Sequence, residues 1–215
     1  MAKFALVCEG ITDHIVIENI LCGFYKGYDD FDDDEIHALQ PPYDETTKKQ
    51  IGQGGWEILL EYLSEERFRD DVLNSEYVVI QIDTDDSEHV NFDISHSNSE
   101  NKEHSVDKLI ENIIARLISQ IDSKEVFYEN HQEKIIFAIS VHSLECWILP
   151  LYKHKNNDKT KSCYRELERH ISVEKDYKIY DKLSRPFLKN KTLLNIKLKS
   201  SSLEIFLDKL PIDIS

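Results

Sequence analysis

Apolar positions along this chain follow two spacings. Dense runs of the kind that form buried strands occur at residues 3–8, 77–82 and 134–141, with a weaker one at 37–40 that stops at Pro41-Pro42. Helical spacing fills the gaps. Ile15, Ile17, Ile20, Leu21 and Phe24 line one face after the first run, and a helix is predicted from about Trp56 to Leu73. Residues 106–121 carry apolar side chains at 106, 109, 110, 113, 114, 117, 118 and 121, a strict helical stripe. Beyond Leu151 the pattern becomes a basic linker at 153–161 and helical segments near 163–170, 177–190 and 202–210. Strand and helix alternate through the first part, which predicts an α/β fold: a mostly parallel sheet with helices on both faces. The chain divides into a body, residues 1–152, and a mainly helical C-terminal extension packed on it, residues 153–215.

Local signals refine the joints. Gly10 permits a tight turn after the first strand, with Thr12 or Asp13 able to cap the helix that follows, and Ser143 is placed to cap the helix after the last strand. Gly52 to Gly55 form the one glycine-rich patch, which has neither a Walker A lysine nor a G-x-G-x-x-G spacing and reads as a helix entry. The polar stretch 88–104 reads as a mobile surface loop; His89, His96 and His104 within it match no metal-ligand spacing, and the acidic run 29–35 lacks the alternation of an EF-hand.

Charge changes the picture. The net charge of -15 is unevenly spread: residues 1–150 hold 11 Lys and Arg against 32 Asp and Glu, whereas residues 151–200 hold 14 against 6. The extension is therefore suited to a polyanion and the body to cations. No apolar run reaches the ~18 residues of a membrane span, and the N-terminus enters a strand pattern directly, so a cytoplasmic protein is expected. Cys8, Cys22, Cys146 and Cys163 form no C-x-x-C pair and read as reduced core or helix residues, with neither a disulfide nor a zinc ribbon expected.

Candidate chemistry gathers at strand ends. The run from Tyr77 ends in Asp83-Thr-Asp85-Asp86, and alternation along an extended segment puts Asp83 and Asp85 on one side, able to share a divalent cation. Glu9 ends the first strand and Glu145 follows the last one, and in parallel sheets functional groups collect at such carboxyl ends. Carboxylates that converge without arginines repel one another unless cations bind, which points to Mg2+ or Mn2+. Such an ion can orient a phosphodiester, activate water and stabilise the leaving oxygen.

The strand ending in Glu9-Gly10 with Thr12-Asp13 opening the next helix, and the later Asp83-Thr-Asp85, resemble the TOPRIM domain of topoisomerases, bacterial primases and OLD-type nucleases. Gly54-Gly55-Trp56, Ser143-Leu-Glu145-Cys-Trp147 and the C-terminal Ser-Ser-Leu pattern at 201–210 look more like the small stand-alone TOPRIM-like proteins of bacterial anti-phage defence loci. The resemblance implies that Glu9 is a general acid or base, that Asp83 and Asp85 bind Mg2+, and that Glu145 completes the metal shell. It further implies a nuclease acting on DNA or RNA, a toxic antiviral effector controlled by an ATPase partner encoded alongside, since this chain has no Walker A motif. A homodimer stays open, as does a non-catalytic subunit that keeps the fold for binding or regulation.

Overall fold

The computed structural model describes residues 3–26, 31, 33–44, 47, 49–122, 126–153, 161–169, 176–212 and 214. Asp29, Asp30 and Asp32 of the acidic run, and most of the basic linker after Lys153, lie outside these residues.

The elements are, in order, β1 Phe4–Val7, α1 Ile11–Phe24, β2 Ile36–Gln40, the two-residue strands β3 Tyr43–Asp44 and β4 Lys49–Gln50, α2 Trp56–Ser64, α3 Glu66–Asn74 and β5 Tyr77–Asp83. They continue with α4 Val106–Ile121, α5 Val126–His131, β6 Ile135–Ser140 and α6 Glu145–Tyr152. The extension adds α7 Cys163–Glu168, α8 Tyr177–Ser184, α9 Asn190–Lys197 and α10 Ser201–Leu207. Four strands make an all-parallel sheet in the order β2-β1-β5-β6. The fold is the α/β arrangement that the alternation predicts.

Alternation along the strands sorts side chains between two cores. Phe4, Leu6, Val79, Ile136 and Ala138 face α1, α6 and the helices of the extension. Ala5, Val7, Val78, Ile80, Ile82, Phe137 and Ile139 face α2, α3 and α4. The extension is thus half of a core layer. Trp147 of α6 stacks flat on Phe206 of α10 at 5.7 Å and donates its indole N–H to Ser202 Oγ at 2.8 Å. Asn19 of α1 donates to Ser184 Oγ of α8 at 2.8 Å, both side chains buried.

Four expectations need correcting. The helix expected at 56–73 is two helices, because Glu65 is extended and turns the chain; Leu59 and Leu63 of α2 and Phe68 and Val72 of α3 then reach the same core. Neither Thr12 nor Asp13 caps α1, which begins at Ile11 with Gly10 at the cap, and Ser143 lends α6 its carbonyl rather than its hydroxyl. The stretch 88–104 is tied down by turns, by an isolated bridge between Ser97 and Glu103 and by His96. Finally, Cys146 and Cys163 form a disulfide between α6 and α7, their Cα atoms 5.0 Å apart. Tertiary packing brings these two together across 17 residues, a proximity that spacing rules for short motifs do not detect. Cys8 and Cys22 lie outside that bond. Among the described residues no helix is long and apolar enough to cross a membrane.

Candidate functional site

Because all four strands run in parallel, their carboxyl ends open on one edge, where β5 and β6 finish in register with Asp83 opposite Ser140. Val79, Gln81 and Asp83 share a strand face, the one covered by α1 and the extension, so Asp83 emerges beneath those helices rather than at open solvent. Glu9, two residues past β1, reaches across: its Oε1 accepts the Asp83 backbone N–H at 2.7 Å. Gln81, fully buried, donates from Nε2 to Asp83 Oδ1 at 2.9 Å. Among the described residues its Oε1 has no hydrogen-bond partner.

Electrostatics mark Glu9 and Asp83 as the centre of this edge. Burial pushes the Glu9 carboxyl up to about 8; Asp13, Asp85 and Asp86 add to the rise, and the Asp83 N–H opposes it. Asp83 is also raised, first by burial and then by Glu9, Asp13, Glu145 and Asp85. The same field and its own burial keep the Cys8 thiol protonated. Asp13, read from sequence as a helix cap, is instead the strongest charged neighbour of Glu9.

The other two candidates sit differently. Extended geometry ends at Asp83, and Asp85 lies exposed in the turn that follows, so strand alternation does not put the pair on one side. That turn is clamped to the β6–α6 loop: Thr84 and Asp85 donate their N–H groups to the His142 carbonyl at 3.1 and 3.0 Å, and His142 N–H donates to the buried Thr84 Oγ1 at 2.7 Å. Glu145 is buried in the first turn of α6, where one carboxylate oxygen accepts the hydroxyl of Tyr180 from α8. Tyr180→Phe would leave this buried carboxylate without its donor, and we expect a loss of about 1–3 kcal/mol in a urea melt; an unchanged midpoint would show that the bond contributes nothing.

Among the described residues, no three His, Cys, Asp or Glu side chains are grouped so as to hold a metal ion. The donor chemistry nonetheless suits Mg2+ or Mn2+: Glu9 and Asp83 offer hard oxygens in a field that resists ionisation, and Mg2+ commonly takes one or two carboxylates and keeps several waters. The four-carboxylate shell of Glu9, Asp83, Asp85 and Glu145 is not assembled around one point, since Glu145 is engaged by Tyr180 and Asp85 faces solvent.

Two further contributors carried only weak signals in the sequence. Gly54 and Gly55 are pressed against Glu9: Gly55 N–H donates to the Glu9 carbonyl at 2.7 Å, and a Cβ on Gly54 would lie 2.4 Å from that oxygen. Their cues in the sequence were a glycine pair without a phosphate-loop signature and the Gly54-Gly55-Trp56 motif. His142, near the other end of the edge, has a φ of 67°, left-handed backbone that costs a non-glycine residue energy. Its ring meets that of His96 edge-on at 5.2 Å, and burial, His96 and Lys161 push its pKa down to about 4. His96 is in turn fixed by Thr84 O and Ser87 Oγ at 2.7 and 2.9 Å.

The fold and edge define an α/β protein with an acidic centre at the carboxyl ends of a parallel sheet. Comparison of the chain with protein-family models, curated proteins and solved structures gives no match.

Proposed function

We propose that this chain is a Mg2+-dependent nuclease of the TOPRIM type that hydrolyses phosphodiester bonds of DNA or RNA. The observation that carries this reading is the pairing of Glu9, two residues past β1, with Asp83 at the end of β5: both side chains are half-buried, the Glu9 carboxylate accepts the Asp83 N–H at 2.7 Å, and both are raised in pKa. Uncompensated acids at a sheet edge are costly to stability and are kept where they serve a site. Glu9 and Asp83 would hold the ion, with Asp85 approaching from the exposed turn. Bound there, Mg2+ supplies Lewis-acid polarisation of a phosphate oxygen and eases deprotonation of water. Glu9 would take or give the proton at its carboxylate, while Gln81 fixes the rotamer of Asp83. Of the cations in the extension, Arg185 and Lys197 are paired with Asp181 and Asp208, whereas Lys182, two residues from Tyr180 on α8, stands exposed and would contact phosphate.

The resemblance carries the rest of the proposal: a toxic effector of an antiviral system, restrained by an ATPase partner. The decisive experiment incubates the full chain with labelled single-stranded and duplex RNA and DNA, with Mg2+ or with chelator. Cleavage should require Mg2+ and fall at least ~100-fold in Asp83→Asn. Absence of cleavage together with no calorimetric binding of Mg2+ or Mn2+ would end the nuclease reading. It would favour the alternative of a non-catalytic TOPRIM-like regulatory or binding subunit, for which the engagement of Glu145 by Tyr180 already speaks.

A further inference from the structure

A groove of about 710 Å3 runs between α1 and α8, a volume within the range of small-molecule sites. Ile15, Glu18, Asn19 and Cys22 line it from α1, and Tyr177 and Asp181 line it from α8, with Arg185 just past the end of that helix. Both sets recur at three- and four-residue steps, so each wall is one helix face. The Asn19–Ser184 hydrogen bond ties the two walls together. By helix rise the wall from Tyr177 to Arg185 is about 12 Å long, and Phe31 and Leu188 add apolar surface to it. None of Glu9, Asp83, Asp85 and Glu145 lines the groove, which is therefore separate from the acidic edge.

Charge selects the ligand. The Arg185 guanidinium donates to Asp181 Oδ2 from Nη2 and Nε at 2.8 and 3.1 Å, so these two lining charges offset each other. Of the other lining charges among the described residues, Glu18 and Asp33 are acids and Lys26 is a base, which leaves a negative balance. The negative end lies at Tyr177: burial pushes the pKa of its hydroxyl up, and Glu18, Tyr43, Asp181 and Asp33 push it further. Phosphates and other anions are disfavoured there. A hydrated metal ion is drawn to the acids but gains nothing from Phe31, Leu188 and the ring of Tyr177. An ammonium group on an aliphatic chain uses both, the charge meeting carboxylates and ring faces and the chain meeting the apolar wall.

We propose that the α1–α8 groove binds a linear aliphatic amine of the polyamine class, its ammonium held by Glu18, Asp33 and the Tyr177 hydroxyl and its chain laid on Phe31 and Leu188. The site goes beyond the hydrolytic reading and does not depend on it. Bound amine would brace α8, the helix that also carries Tyr180 to Glu145.

Calorimetry on the full chain tests the site with spermidine, in about 0.15 M salt to screen diffuse attraction to an acidic protein. Binding should be one-to-one. Glu18→Gln should weaken it on the order of 10-fold, whereas Glu61→Gln, at an exposed position of α2, should bind as the natural chain does. Cys22 reports on the groove itself. Cys146 and Cys163 are bonded to each other and Cys8 is fully buried, which leaves Cys22, half-buried on the groove wall, as the thiol that a maleimide reaches. Spermidine should slow alkylation of Cys22, read by mass spectrometry, and inorganic phosphate should not. Absence of one-to-one binding, equal weakening in Glu18→Gln and Glu61→Gln, or a Cys22 alkylation rate that spermidine leaves unchanged would each overturn the site. Protection of Cys22 by phosphate in place of spermidine would overturn the assignment of a cationic ligand.

Discussion

Glu9→Gln is expected to abolish Mg2+-dependent cleavage and, at the same time, to make the metal-free protein more stable at pH 8. The sign follows from linkage. Glu9 ionises at its ordinary value of 4.5 in the unfolded chain and at about 8 in the folded one, so between these values the folded state holds a proton that the unfolded state has lost. Stability from this group is fully present below pH 4.5 and falls by about 1.4 kcal/mol per pH unit as pH rises toward 8. Glutamine behaves as a glutamic acid that never ionises, and its carbonyl still accepts the Asp83 N–H, so the variant loses this slope. Thermal melts of the two proteins should coincide near pH 4.5 and diverge toward pH 8, with the variant higher by roughly 2–4 °C for each kcal/mol of that difference. Adding Mg2+ at pH 8 should recover the difference for the natural chain and do little for the variant, because a cation held by Glu9 and Asp83 relieves the repulsion that raised both. Parallel pH curves would mean that Glu9 is not the ionising group, and full cleavage by Glu9→Gln would remove it from the chemistry.

The sheet was legible because its rule is local. Residues 77–83 alternate between two cores, and the same alternation that identifies the strand assigns Gln81 and Asp83 to the face under α1. The strand-end logic also found Glu9 and Asp83, since parallel strands bring their carboxyl ends to one edge whatever the loops do. It failed for Asp85 because alternation is valid only while the backbone stays extended, and β5 stops at Asp83. The partner of Glu145 was out of reach for a different reason: Tyr180 is 35 residues away and arrives by the packing of α8 on α1, a contact with no local pattern. The Cys146–Cys163 bond belongs to the same class. The charge asymmetry suggested an appended basic part, yet the extension supplies Tyr180 to the site, and Phe206 and Ser202 to the packing of Trp147. Charge reports what faces solvent, and burial of the extension is carried by its apolar stripes.

Gly54→Ala should cripple the site although Gly54 carries no functional group. An added Cβ would stand 2.4 Å from the Glu9 carbonyl oxygen and 3.0 Å from the Gln50 amide, and a backbone oxygen cannot swing aside as a side chain can. Either the 52–55 segment withdraws, breaking the Gly55 N–H bond to Glu9, or the Glu9 backbone moves and takes its carboxylate away from Asp83. Overpacking of this kind costs about 1–3 kcal/mol, and a catalytic group displaced by ~1 Å loses on the order of 100-fold in rate. Gly52→Ala is the matched control, because its Cβ would meet only the Pro42 ring at 3.3 and 3.4 Å. The expected pattern is a lowered melting temperature and strongly reduced kcat for Gly54→Ala beside near-natural behaviour for Gly52→Ala. Equal behaviour of the two variants would show that the close approach of Gly54 does not set the position of Glu9, and the edge would then owe its geometry to the Asp83 N–H alone.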